Sequence, residues 1–407
     1  MSKTIVLPAT LDTKGEEAAF IRDRIVERGH VALVIDVGVL GEPQIEPDIT
    51  RSQIAGAGGK SLADLVDAAR HGADRAEATN VMMLGLQRTV MRLHSEGRLD
   101  GIIAVGGSTG AAIATSAMSV LPVGVPKLMV GTWFETQFVG AKDVTIMQAP
   151  ADMMGLNSVM RQVLASAAGA IVGMVEAEVP GQAKPLVGVT ALGVTTQAVM
   201  NMRPLLEAMG LEAIVFHSKT QILDELIQED RISGVIDLTT FEVMIPISFH
   251  LPEAMSAGRL ALAGDRGLPQ VIVPGGLDMF IFPGTKEQVP EEYRDRKVHA
   301  HGPDKVLVRT TQAEVASAAA VLAGRANSSA GPVAVVVPSR GFSAADAEGL
   351  PFHDPAADAA FIDIIRSKVK TEIEVFEVDA HINDEAFARE VVSTFSRLSK
   401  RGGQLIW

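Results

Sequence analysis

The chain has 407 residues, of which 47% are hydrophobic but only 4% aromatic. That is enough apolar material for two cores of aliphatic side chains, the composition of buried parallel sheets and not of an all-β sandwich. With 49 acidic against 36 basic residues the net charge is −13, and there is no cysteine; this argues against a nucleic-acid partner, removes disulfides and thiolate chemistry, and fits a reducing, cytoplasmic compartment.

Taken in order, Thr4 to Pro8 reads as a strand, and the opening MSKTIVLPAT lacks the pattern of an export signal. A loop from Ala9 to Gly15, a helix from about Glu16 to Arg28 stopped by Gly29, and a strand from Val31 to Val37 complete a βαβ unit. A Pro- and Gly-rich passage, Gly41 to Lys60, leads to a largely helical stretch, Ser61 to Glu96, and then to strand Gly101 to Val105. The uncharged run Gly101 to Pro126 is long enough to span a bilayer, but Gly106, Gly107, Gly110 and Pro122 break it into strand, loop and buried helix, so no membrane association is expected. A third strand follows at Lys127 to Val130.

The same order then recurs. Strand Pro185 to Val189, a hydroxyl-rich loop Thr190 to Thr196, helix Gln197 to Met209, Gly210 as its stop, and strands Ala213 to Phe216, Gly234 to Asp237 and Gln270 to Val273 repeat the first half with unequal insertions. The reading is two Rossmann-like α/β domains with mostly parallel sheets, related as a diverged duplication: residues 1–180 and 181–407, with the hinge in AEVPGQAK, Ala177 to Lys184. Thr311 and Glu314 form a capping box opening a helix to about Arg325. Strand Val333 to Val337, helix Ala356 to Lys370 and strand Glu372 to Val378 add a further α/β layer.

In open parallel sheets ligands sit beyond the carboxyl ends of strands, so the loops there carry the candidate chemistry. Gly106, Gly107, Ser108, Thr109 and Gly110 precede a helix whose first N–H groups and dipole suit a phosphate or carboxylate. Around Thr10, Asp12 and Lys14, the ammonium suits a phosphate and the carboxylate suits Mg2+ or a ribose hydroxyl; the plainer alternative is a capped helix start. In the second half Thr239, Gly275 and Gly276 stand in comparable places, again with a capped or tight turn as the alternative. Arg340 is a candidate fork for an anionic group, and His353 and His381 are candidate acids or bases. No G-x-S-x-G elbow and no familiar metal-ligand spacing occurs, so the metal question stays open beyond Mg2+.

Together these blocks resemble the ATP-binding domain family named for the tomato mosaic virus resistance protein, whose bacterial members are mostly uncharacterised. The resemblance rests on TLDTKGEE (Thr10 to Glu17), AVGGSTG (Ala104 to Gly110), VGAKDVTIMQAPADMMGLN (Val139 to Asn157), GVIDLTTFEV (Gly234 to Val243), GGLDM (Gly275 to Met279), and PSRGFSAADAEGLPFHDPAADAA with VDAHIND (Pro338 to Asp384). It implies two Rossmann-like subdomains, ATP binding and self-association. One departure is that family members usually carry a glycine-rich stretch after the VFH strand, where this chain has Ser218, Lys219, Thr220 and Gln221. The expectation is an ATP-binding protein, with Mg2+, acting on a phosphorylated or carboxylated small molecule. The alternatives are a nucleotide-independent lyase, isomerase or hydrolase of a sugar acid, and a non-catalytic ligand sensor.

Overall fold

The structure is a computed structural model that describes residues 1–70, 75–132, 142–179, 184–218, 221–251, 260–401 and 404–405. Two compact units divide it, Met1–Gly181 and Gln182–Trp407.

In the N-terminal unit the elements run β1 (Thr4–Ala9), α1 (Leu11–Val26), β2 (Val31–Asp36), α2 (Arg51–Gly58), α3 (Leu62–Arg70), α4 (Arg75–Ser95), β3 (Gly101–Gly106), α5 (Ser108–Val120), β4 (Lys127–Gly131), β5 (Thr145–Gln148) and α6 (Ser158–Glu176). The five strands form a parallel sheet in the order β2-β1-β3-β4-β5. Successive residues of a strand face opposite sides, and β1 shows it: Val6 packs with α4 and α5, whereas Ile5 and Leu7 pack with α1 and α6. The chain therefore leaves β1 for one face and leaves β3 for the other, and the strand-end loops diverge between them. By length and composition α6 would suffice to cross a bilayer. In the fold it is a core helix, burying Met160, Leu164, Ala167, Ile171 and Val175 against the sheet and α1.

The C-terminal unit repeats that start with β6 (Leu186–Ala191), α7 (Thr196–Ala208), β7 (Glu212–His217), α8 (Ile222–Gln228), β8 (Ile232–Thr239), α9 (Met244–Ser248), α10 (Ala261–Asp265) and β9 (Gln270–Gly275). It continues with β10 (Met279–Pro283), β11 (Val298–Ala300), β12 (Lys305–Arg309), α11 (Gln312–Ser328), β13 (Val333–Pro338), α12 (Pro355–Lys368), β14 (Glu374–Val378) and α13 (Glu385–Leu398). Its six-stranded sheet, β14-β13-β9-β8-β6-β7, is parallel throughout. Read from β7, the order β7-β6-β8-β9 reproduces β2-β1-β3-β4, so Thr4–Ala9 and Leu186–Ala191 hold equivalent positions. Gly29 and Gly210 stop the helices after them in the left-handed conformation, with φ of 84° and 78°. The late layer joins this sheet, through β13 and β14.

Several elements differ from the sequence reading. Helix α1 begins at Leu11, not near Glu16, because Thr13 and Lys14 both donate backbone N–H to Thr10 O; Lys14 itself is kinked to φ −127°. The passage Gly41 to Lys60 contains α2, set by a Thr50–Gln53 capping box and held so closely to α4 that a side chain on Gly85 would collide with Ile54 O. Within Ser61 to Glu96 residues 71–74, and within the hinge residues 180–183, lie outside the described residues, as do Lys219 and Thr220 of the departing loop. The antiparallel sheet β10-β12-β11, edge strand β5 and helix α13 are additions.

Candidate functional site

Sheet order fixes where a ligand fits best: at the point where neighbouring strands send their chains to opposite faces, here between β1 and β3. A pocket of about 500 Å3 lies there, lined among others by Thr10, Asp12, Lys14, Gly107, Ser108 and Gly110. Sequence-distant segments thus meet in one place, as the strand-end argument expects.

Gly106 and Gly107, where β3 passes into α5, differ in what surrounds them. A Cβ on Gly106 would press 3.0 Å from Gly110 C, so this position keeps the turn tight, whereas a Cβ on Gly107 would meet nothing within 4 Å. Gly107 is the N-cap of α5 and has no side chain to accept from the first turn. The N–H groups of Ser108, Thr109 and Gly110 are consequently uncapped donors at the positive end of a 13-residue helix.

The opposite wall is the start of α1. Thr10 and Thr13 hydroxyls lie 3.0 Å apart, and Lys14 Nζ donates to Met153 O and, at 3.4 Å, to Thr13 O. Asp12 holds the loop after β2: its Oδ2 accepts from Gly41 N at 3.1 Å, and its backbone carbonyl accepts from Gln44 Nε2 at 2.9 Å. Asp36, buried at the end of β2, accepts from the N–H groups of Leu11 and Gly38 and pairs with Arg51 at 3.7 Å. Burial raises its pKa above the usual carboxylate range, while the two N–H groups and Arg51 oppose that rise. Strapped down in this way, the loop offers Val39 and Leu40, with Ile113 of α5, as an apolar wall that the sequence did not advertise. Among the described residues no group of three or more metal-ligating side chains occurs. An Mg2+ ion would depend on ligand phosphates plus the remaining oxygen of Asp12.

At the corresponding junction in the C-terminal unit the polar groups satisfy each other. Thr190 Oγ1 donates to Thr239 O at 3.0 Å, Thr195 and Thr239 hydroxyls are 2.8 Å apart, and Thr239 is fully buried. A Cβ on Gly275 would lie 2.1 Å from Leu238 O, and Gly276, at φ 76°, donates to Phe342 O; both serve the close passage of β8, β9 and the loop after β13. The start of α7 is covered by Asn383, whose Oδ1 accepts from Ala198 N at 3.1 Å and whose Nδ2 donates to Val194 O at 3.1 Å.

Arg340 and His381 lie in the neighbouring loops after β13 and β14. Arg340 is exposed and forks onto Asp379, both contacts 2.7 Å, which raises the guanidinium pKa and lowers that of the carboxyl. Both nitrogens of His381 face backbone: Nδ1 accepts from Asn383 N at 3.2 Å, and Nε2 stands 2.9 Å from Ser343 O as donor. His353 sits in the turn before α12, where its carbonyl accepts from Lys297 and its buried Nδ1 has no hydrogen-bond partner among the described residues.

Beneath these loops is a buried charge cluster whose three aspartates, Asp278, Asp346 and Asp358, lie within the blocks quoted for the family resemblance but carried no role there. Arg309, at the end of β12, reaches Asp358 at 3.2 Å and Asp346 at 3.6 Å, and donates to the carbonyls of Phe352 and Asp278. Asp278 accepts from the Ser343 hydroxyl at 2.6 Å. Burial first, then the neighbouring Asp346, pushes Asp278 up to about 7 and Asp358 to about 8. An Arg closing the apolar run Val306 to Val308 of KVLVR was the available signal.

Residues 3–180 match the N-terminal domain, and residues 184–399 the C-terminal domain, of an uncharacterised protein family (UPF0261). A UPF0261 protein of Clostridium tetani is 39% identical over 400 residues, covering 95% of this chain and 97% of its own length. One from Brucella suis is 33% identical over 410 residues, covering 98% and 97%. The ToMV susceptible protein tm-1(GCR26) of Solanum lycopersicum is 31% identical over 348 residues, covering 81% of this chain and 46% of its own. Among solved structures a spinosyn forosaminyltransferase aligns at 12% identity and a TM-score of 0.20 over 98% of this chain and 99% of its own, too low a score to carry an argument.

Proposed function

The chain belongs to the UPF0261 family, and from that premise we propose that its N-terminal domain binds ATP and serves an ATP-dependent reaction on a small organic acid. The observation that carries the reading is the pocket between β1 and β3, where the uncapped first turn of α5 faces Lys14 across about 500 Å3. Its volume lies within the range of small-molecule sites. The phosphates belong at Ser108, Thr109 and Gly110, with Lys14 as the counter-charge and Asp12 beside the metal; the base belongs against Val39, Leu40 and Ile113. The resemblance of the Thr10 to Glu17 and Ala104 to Gly110 blocks to an ATP-binding family supports the same ligand. A cytoplasmic location and self-association are part of this reading and are checked by cell fractionation and light scattering.

The decisive variant is Gly107→Asp. Its Cβ enters open space, so the fold tolerates it, while its carboxylate stands where the phosphates would be. Calorimetric titration with Mg-ATP is expected to show at least a hundredfold loss of affinity, with the circular dichroism spectrum unchanged. Equal affinity in the folded variant rejects the site. Phosphate release measured beside binding separates an ATP-dependent enzyme from a ligand sensor.

A further inference from the structure

A second cavity, of about 620 Å3, adjoins the first and shares Thr13, Lys14 and Gly107 with it. Its character is the reverse of its neighbour's. Glu16, Glu17 and Asp152 face it, with Lys14 as the counter-charge at the shared boundary, and Lys14 already donates to the carbonyls of Met153 and Thr13. Glu17 is the informative residue. It sits on the inner side of α1, only 1% exposed, yet it lines the cavity. One oxygen accepts from Gly155 N at 3.1 Å; among the described residues the other has no hydrogen-bond partner, and no Lys, Arg or His pairs with the carboxylate.

Removing a carboxylate from water without a full set of donors is costly, and a cationic hydrogen-bond donor is the group that offsets it best. We propose that this cavity is a subsite for a small ligand bearing a primary ammonium group, which docks on Glu17 with Glu16 and Asp152 supplying the surrounding negative field. The two cavities then select opposite charges on either side of Thr13, Lys14 and Gly107, so the ammonium-bearing molecule lies next to the phosphate end of a nucleotide. Its role as second substrate rests on the ATP reading; its binding to Glu17 does not. With the organic-acid expectation, the inference narrows the substrate class to one that also carries an amine.

The test uses the full chain and ligands matched in size but not in charge. Aliphatic amino alcohols of two to six carbons, with the corresponding diols as neutral controls, are titrated at constant ionic strength with and without Mg-ATP, following the melting temperature and amide NMR shifts. Saturable stabilisation by amino alcohols but not diols is expected. Glu17→Gln keeps an acceptor for Gly155 N and should weaken amino-alcohol binding at least tenfold, while changing ATP affinity less than twofold. Should Glu17→Gln fail to fold, the exposed Asp152→Asn variant should weaken binding severalfold. Equal binding of the diols, no saturable response to any amine, or full affinity in a folded Glu17→Gln protein overturns the proposal. Loss of ATP binding in wild type with the amine response intact sinks the nucleotide reading alone.

Discussion

At the β1/β3 junction the strand-end loops stand apart around a pocket, while at β6/β8 Thr190, Thr195 and Thr239 close on one another. The strand order is shared, so topology alone does not make a binding site. The difference is where the donors go. Gly107 leaves the first turn of α5 uncapped, whereas Asn383 reaches from the β14–α13 loop to cap α7, held in place by His381. Beyond the C-terminal junction, Arg309 and three carboxyl groups occupy the interior. One unit leaves the start of its helix uncapped beside a pocket, and the other uses its polar groups to hold itself together.

The largest effect that sharpens this contrast should come from Arg309→Met. It removes the cation that pairs with Asp346 and Asp358 beside Asp278, and breaking a buried pair typically costs about 3–5 kcal/mol. Urea denaturation should show that loss in the C-terminal unit, with ATP affinity of any remaining folded protein unchanged. A loss in the range of surface substitutions would mean that Arg309 does not organise the cluster.

Next in size is a pH effect. Asp278 and Asp358 titrate near 7 and 8 in the fold, against about 3.9 for an unfolded aspartate. The folded state therefore holds protons that the unfolded state has released. The resulting stabilisation is fully present below about pH 4 and is lost as pH rises through 7 to 8. Asp278→Asn should flatten that slope and make the protein more stable than wild type at pH 8, by on the order of 2 kcal/mol. Parallel stability–pH curves for the two proteins would refute it.

A smaller change is expected from Asn383→Ala, which uncaps α7 at a cost of about 1 kcal/mol. It also recreates in the C-terminal unit the free helix start that α5 has, so a new weak phosphate response there would show that capping distinguishes the junctions. Stability equal to wild type would show that solvent replaces the amide without loss.

Smallest of all is Arg340→Ala. Its ion pair with Asp379 is exposed on both sides, 61% and 79% for the side chains, so the melting temperature should move by no more than about 1 °C. If ligand turnover is nevertheless lost, Arg340 exchanges Asp379 for an anionic group during the reaction. His381→Ala is its complement: a clear drop in melting temperature identifies the imidazole as the support of the Asn383 loop, and turnover lost at unchanged stability identifies it as a proton carrier.

The fold was largely legible because its signals are local. Short apolar strand runs, the helix stops at Gly29 and Gly210 and the capping box at Thr311 depend on neighbouring residues, and the repeat of the strand and stop signals revealed the duplication. The stretch Gly106 to Gly110 was legible for the same reason, although the structure narrows the expected loop to Gly107, between the end of β3 and the start of α5. Glu17 was not, since it looks like any solvated helix glutamate until α1 turns it inward beneath Gly155.

Nor can a sequence distinguish Thr10, just past the end of β1, from Thr239, the last residue of β8. Pairing within the sheet points Thr239 at Thr190 and Thr195, while Thr10 borders a cavity. What the chain determined by itself was the class and order of the main strands and helices, because hydrophobic period and turn chemistry act over a few residues. Which polar groups stay free for a ligand was decided only in the tertiary structure, because a donor is free or satisfied according to what packs against it, and its partner can lie nearly 190 residues away, as Asn383 does from Val194.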